Sequence, residues 1–318
     1  MSEMFSPLRV DPTVDELLRD ELADSDATVA TIAPILRHLL ANDDRSLFND
    51  EIVARVRGML DHIARQLLDA VEDAQGPAAA HDHDPETIQH VVSAIVENPA
   101  LLAHVHALAL EFQLTERLQA RLSLDPVLSP LLQALIASQD GTTAASAVAL
   151  LAAQTRFIQA QRRMQLPVGE LPADLFHFML QTLRGLDAAS AALAAAEHAL
   201  RAAYDEGRSR LGLLARLVMG MGGGASAALS AGHAGVALFM TAAALGAAQD
   251  RDLTALMAHE GQVARLALTL RAAGLRPEAI EEQFLAIHPD VSLPDGFEAL
   301  GADRAAAILA RSVAGADR

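Results

Sequence analysis

The sequence predicts an all-α protein, and three observations carry that prediction. Apolar residues recur at spacings of three and four along nearly every segment, while the period-two alternation of strands is almost absent. The breaks between segments carry turn chemistry: Gly76-Pro77, Asn98-Pro99, Asp140-Gly141, Pro167 with Gly169, Gly274 and His288-Pro289. Hydrophobic residues make up 52% of the chain but aromatic ones only 3%, so the core must be aliphatic and alanine-rich.

Taken in order, helices are predicted over 12–22 and 28–41, then after the capping pair Asn49 and Asp50. In that third helix Ile52, Val56, Met59, Ile63 and Leu67 form the apolar stripe, and Arg55, Arg57, Asp61, Arg65 and Asp69 fall away from it. Further helices are predicted over 85–97, 100–122, 127–138, 143–165, 172–184, 188–204, 253–273, 277–286 and 304–313, with 76–84 the most linker-like piece. The stretch 217–249 carries no formal charge, and the flanking Arg-bearing helices need such a surface to pack on. Gly220, Gly222, Gly223 and Gly224 interrupt it, and few of its residues are the Leu, Ile, Phe or Val that favour insertion. It therefore reads as a glycine hinge feeding a buried helix over 234–248, with Val236, Leu238, Phe239 and Leu245 packed, and not as a membrane span.

A threefold internal order is visible. Pro34-Ile35-Leu36 through Asp44 resembles Pro130-Leu131-Leu132 through Asp140, and a weaker echo ends at Asp250. Each precedes a long amphipathic helix and then a helix opened by Pro85, Pro172 or Pro277, a residue suited to the first helical position. The expected organisation is a lead segment (1–27), three divergent helical units (28–122, 123–208 and 232–318) and a glycine-containing connector (209–231), arranged as a helical array or bundle.

Composition excludes several function classes. A net charge of −17 argues against nucleic acid, whose phosphates would be repelled. Without cysteine there are no disulfides, thiolate nucleophiles or Cys-based zinc sites. All 24 basic residues are arginine, which removes Schiff-base chemistry and the phosphate-loop lysine. The Arg and Ala usage matches a GC-rich bacterial genome. The opening MSEMFSPLRVDPTVDELLRDEL has no apolar secretory core, so a cytoplasmic location is expected.

Two polar constellations remain. His81, His83, Asp84 and His90 are residue types that ligate zinc or another divalent metal, set against a plain reading in which Asp84 caps the helix that Pro85 opens. Arg156, Gln159, Arg162 and Arg163 are unusual in an acidic chain, and guanidinium forks bind carboxylate and phosphate groups bidentately. The plain reading there is pairing with the protein's own acids. Other motifs fail on inspection. His259-Glu260 has Val263 where a zincin needs its second histidine, the glycine run lacks a following lysine, and no nucleophile elbow occurs. His104 and His106, two apart on one helix, diverge. The expected function is a non-enzymatic α-helical interaction or scaffold protein. It would need no cofactor and would bind another protein through a helix or acidic segment. The alternative is a metal-dependent hydrolase using His81, His83, Asp84 and His90.

Overall fold

Fourteen α-helices and six 3-10 segments make up the computed structural model, which describes residues 13–41, 50–76, 83–187 and 189–316; no strand occurs among them. The helices are α1 (Val14–Ala41), α2 (Asp50–Gln75), α3 (Pro85–Ile95), α4 (Pro99–Leu122), α5 (Pro130–Ile136), α6 (Gly141–Arg162) and α7 (Ala173–Leu186). They continue as α8 (Ala191–Ala203), α9 (Arg210–Gly220), α10 (Ala231–Ala247), α11 (Arg251–Ala255), α12 (Val263–Ala272), α13 (Pro277–Ile287) and α14 (Ala302–Ala316). Their starts follow capping chemistry. Asp84, Asn98, Ser129, Asp140, Ser190, Ser209 and Asp250 each accept a backbone N–H of the first turn, and proline opens α3, α4, α5 and α13.

The axis of the fold is α4. Its buried residues, from Leu101 to Leu118, occupy most of its circumference, and α1, α2, α6, α10, α11 and α13 all pack on it. Around this centre α2 lies on α8, α6 on α9, α10 on α12, and α12 on α14. Because α1 packs on α12 and α14, the first helix closes against the last. In an open solenoid each unit would touch only its neighbours.

Helix α10 is apolar on nearly every face, as its lack of charge predicts, with Val236, Leu238, Phe239 and Ala243 all buried. Leu245, expected inside, is 44% exposed. The helix breaks at Gly235, whose φ of +75° is open to glycine, and a methyl group there would sit 3.1 Å from Ser129 Cβ. Gly246 serves closeness instead: a Cβ would meet Ala273 Cβ at 2.8 Å, so α10 can approach the end of α12 only without one.

Besides Leu245, the helices expected over 12–22, 28–41 and 253–273 and the outward placing of Arg55 need correction. The helices expected over 12–22 and 28–41 are one helix, α1, and the boundary at 27/28 falls inside it. Ser25 and Asp26, between the two expected helices, are tertiary anchors. Ser25 Oγ donates to the Gly261 carbonyl at 3.0 Å, Gln262 Nε2 donates to the Ser25 carbonyl at 3.1 Å, and Arg265 pairs with Asp26. The helix expected over 253–273 is split by 3-10 turns at Leu256–Ala258 and Glu260–Gln262, because His259 adopts an extended backbone. The connector 209–231 contains α9 and the 3-10 segment Gly222–Leu229. Arg55 is also buried at 4% exposure, stacked 4.1 Å over the Phe112 ring and hydrogen-bonded to the Gln161 carbonyl.

The threefold order of short, long and proline-opened helix is not confirmed: the first short helix is part of the 28-residue α1, the third long helix is split, and the packing differs between units. α3 lies on α2, whereas α7 makes at most marginal contact with α6. No single helix among the described residues is long and apolar enough to cross a membrane, and the two adjoining pairs that reach the length jointly are bent by 103° and 118°.

Phe239 is 0% exposed, so Phe239→Ala is expected to cost about 3 to 5 kcal/mol in denaturant unfolding. Leu245→Ala should change stability by less than about 0.5 kcal/mol. A Phe239→Ala midpoint matching that of the wild type would remove α10 from the core.

Candidate functional site

A carboxylate lies at the centre of the fold. Glu111 of α4 is fully buried. Its Oε1 accepts from Arg210 Nη1 at 2.6 Å, and its Oε2 accepts from Arg210 Nη2 at 2.9 Å and Arg251 Nη2 at 3.0 Å. Arg210 also donates to Gln154 Oε1 at 3.2 Å and lies 3.6 Å over the Phe157 ring, while Arg251 Nε donates to Thr241 Oγ1 at 3.0 Å. Side chains from α4, α6, α9, α10 and α11 thus meet on one carboxylate. Burial pushes the Glu111 carboxyl up, but the two guanidinium groups outweigh it and hold it down to about 2. Two turns earlier on α4, His104 Nδ1 lies 2.7 Å from Asp252 Oδ2. Burial raises the Asp252 carboxyl, and His104 and Arg251 bring it below its ordinary value. With both oxygens occupied and its side chain buried, Glu111 makes with Arg210 and Arg251 a structural clasp, while Asp252 reaches a cavity.

Two adjoining cavities of about 360 and 370 Å³ open beneath α1. Ile32 of α1, His106 of α4 and Leu256 line both. The first adds Ile35, Leu36, Ile52 and Leu110 with Gln113 and His259; the second adds Ala100, Ala103 and Leu253 with Asp174, Asp250 and Asp252. His106 Nδ1 is buried without a hydrogen-bond partner. Burial, with some repulsion from His259, lowers its imidazole to about 4. Apolar walls, a few polar groups and a perturbed titratable residue are the usual marks of a small-molecule site.

The structure separates the expected metal ligands. His81 lies outside the described residues. His83 is held by α2, with Nε2 at 2.6 Å from Asp69 Oδ1 and Nδ1 at 3.1 Å from Glu72 Oε1. Asp84 caps α3 by accepting from Glu86 N and Thr87 N at 3.1 and 3.3 Å. His90 is exposed beside an open cleft with Phe178 and Asn98. Among the described residues no group of three or more His, Asp or Glu side chains is set to hold a metal.

The arginine segment is on the surface. Arg156, Gln159, Arg162 and Arg163 are all exposed, opposite the buried Gln154, Phe157, Ile158 and Gln161. None of the three arginines makes an ion pair among the described residues. Arg156 borders a cavity of about 200 Å³ whose walls include Leu108, Phe157, Leu166, Pro167 and Leu211. The chain just after α6 is fastened to α2: Gln66 Nε2 donates to the Leu166 carbonyl and Val168 N to Gln66 Oε1, both at 3.0 Å.

The fold and these sites define an all-α, multi-helix protein with a buried ionic centre. Comparisons with protein-family models, curated proteins and solved structures find no match to this chain.

No sequence motif marks Glu111, Arg210, Arg251 or Asp252, and His104 and His106, set aside as diverging, serve different places, His104 against Asp252 and His106 in the cavities. The signal was available for Glu111, the one carboxylate within the apolar run from Leu108 to Phe112; its partners lie 99 and 140 positions away.

Stability is expected to fall in two acid steps. His106 and His288 both have lowered imidazole values, chiefly from burial, so the unfolded chain binds more protons and stability is lost as pH falls from about 6.5 toward 4. Glu111 is lowered from about 4.5 to about 2, so its contribution is present above pH 4.5 and lost as pH falls toward 2. Urea midpoints between pH 7 and 2.5 check both windows, and His106→Leu should flatten the upper one. A flat wild-type profile from pH 6.5 to 4.5 would contradict the assignment.

Proposed function

We propose that the chain is a non-enzymatic interaction protein, located in the cytoplasm, whose exposed α6 arginine face docks an acidic segment of another protein. The observation that carries this reading is the absence of an ion-pair partner for Arg156, Arg162 and Arg163 in a chain of net charge −17. Forty-one acidic side chains were available to neutralise them, and none does so among the described residues. The net negative charge of the chain disfavours an acidic segment in general, and three arginines on one helix end favour it here. The apolar cavity beside Arg156 suits one aliphatic side chain of that segment, and Gln159 lies between the charges with both donor and acceptor to offer. Fastening of 164–168 to α2 holds the face in place before binding, which lowers the ordering cost.

A photo-crosslinking residue at position 159 tests the docking face directly in native cells. A partner should crosslink to the otherwise wild-type chain through an Asp- and Glu-rich segment, and the crosslink should disappear in the Arg156→Glu, Arg162→Glu, Arg163→Glu variant with its helical circular dichroism intact. An undiminished crosslink in the charge-reversed variant, or one mapping to a basic or neutral segment, would overturn the proposal.

A further inference from the structure

The paired cavities beneath α1 lie apart from the arginine face and carry a second inference. We infer that they bind an unbranched aliphatic amine, its chain against the apolar walls and its ammonium group at the aspartate end of the second chamber. Volume sets the first condition. At about 360 and 370 Å³ each chamber falls within the range of small-molecule sites, and the two adjoin at Ile32, His106 and Leu256. Wall chemistry sets the second. No Phe, Tyr or Trp ring lines either chamber, so no aromatic box cages a quaternary ammonium, and Ile, Leu, Val and Ala surfaces fit a saturated chain.

Charge sets the third condition and decides the head group. Neither chamber is lined by an arginine, and the chain has no lysine, so a fatty carboxylate or a phosphate meets no cation. Asp174, Asp250 and Asp252 line the second chamber. Asp250 Oδ1 accepts from Leu253 N at 2.9 Å and Asp252 Oδ2 pairs with His104, yet each carboxylate keeps further acceptor sites. Asp174 and Asp250 are exposed at the mouth, where a primary ammonium with three donors can reach them while keeping partial hydration. His106 is uncharged at neutral pH and adds no repulsion where the chambers meet. The turns from Thr28 to Leu36 supply the cavity wall and are held at both ends, by Ser25 and Asp26 before them and by Arg37 on the Val96 and Glu97 carbonyls after them, and the exposed Asp174 and Asp250 mark the open end.

Titration calorimetry of the full chain at pH 7.5 and physiological salt, with decylamine, decan-1-ol and decanoate below their micelle concentrations, tests the site. One equivalent of decylamine should bind, about tenfold or more tighter than decanol, with no saturable binding of decanoate. Ala103→Phe, an exposed position on the cavity wall, should abolish the binding, and Asp174→Asn should weaken decylamine several-fold while leaving decanol unchanged. Multiple weak equivalents of decylamine that persist in both variants would mark attraction to an acidic surface and overturn the inference. Equal binding of decanoate, or no binding of any probe, would overturn it as well.

Discussion

A carboxylate with no access to water organises this protein. Burying an unpaired Glu111 would cost several kcal/mol, so the helix that carries it can be central only if compensating charge arrives from elsewhere in the chain. It arrives as two guanidinium groups, from the first residue of α9 and the first residue of α11. Each is itself supported, Arg210 by Gln154 and the Phe157 ring and Arg251 by Thr241. Such a cluster adds little net stability over an apolar equivalent, but it penalises every arrangement that leaves one member unpaired. It therefore selects one packing of α4, α6, α9, α10 and α11 among the many that smooth alanine-rich helices permit.

The use of arginine alone as the basic residue fits this construction. Arg55, Arg210 and Arg265 are all buried, and each joins segments distant in sequence: Arg55 to Gln161, Arg210 to Glu111 and Arg265 to Asp26. A planar guanidinium lies on a ring face and meets a carboxylate bidentately, whereas an ammonium does neither as well. The scarcity of aromatic side chains has the opposite consequence under α1, where aliphatic and alanine walls leave two sizeable voids unfilled. Composition thus shapes both the buried ionic contacts and the cavities.

The helical class, most helix positions and the burial of α10 were legible in the sequence because periodicity and capping are local signals. Asp84 announced its helix by residue type and by the proline that follows it. What was illegible depended on distant partners. Ser25-Asp26 is turn-like chemistry until Gly261, Gln262 and Arg265 are placed against it, and the continuous α1 follows from those contacts. Arg55 falls off the apolar stripe of α2 and reads as solvent-facing, yet Phe112 and Gln161 cover it. Leu245 errs the other way: an uncharged helix gave no indication of which face would be left exposed. For the candidate sites, the sequence picked out the α6 arginines by their contrast with an acidic chain. It had no means of seeing the cavities, which belong to the space between α1, α4 and α11.

The central claim is that Glu111 and Arg210 act as a unit, and a double-mutant cycle measures that coupling. Glu111→Gln strands the Arg210 and Arg251 guanidinium groups, and Arg210→Gln leaves the buried Glu111 carboxylate with Arg251 alone, so each is expected to cost about 3 to 5 kcal/mol in denaturant unfolding. The double variant should cost less than the two losses combined, by well over about 1 kcal/mol, because the second change removes the charge that the first stranded. Losses that add within about 0.5 kcal/mol would show two independent residues and contradict the account.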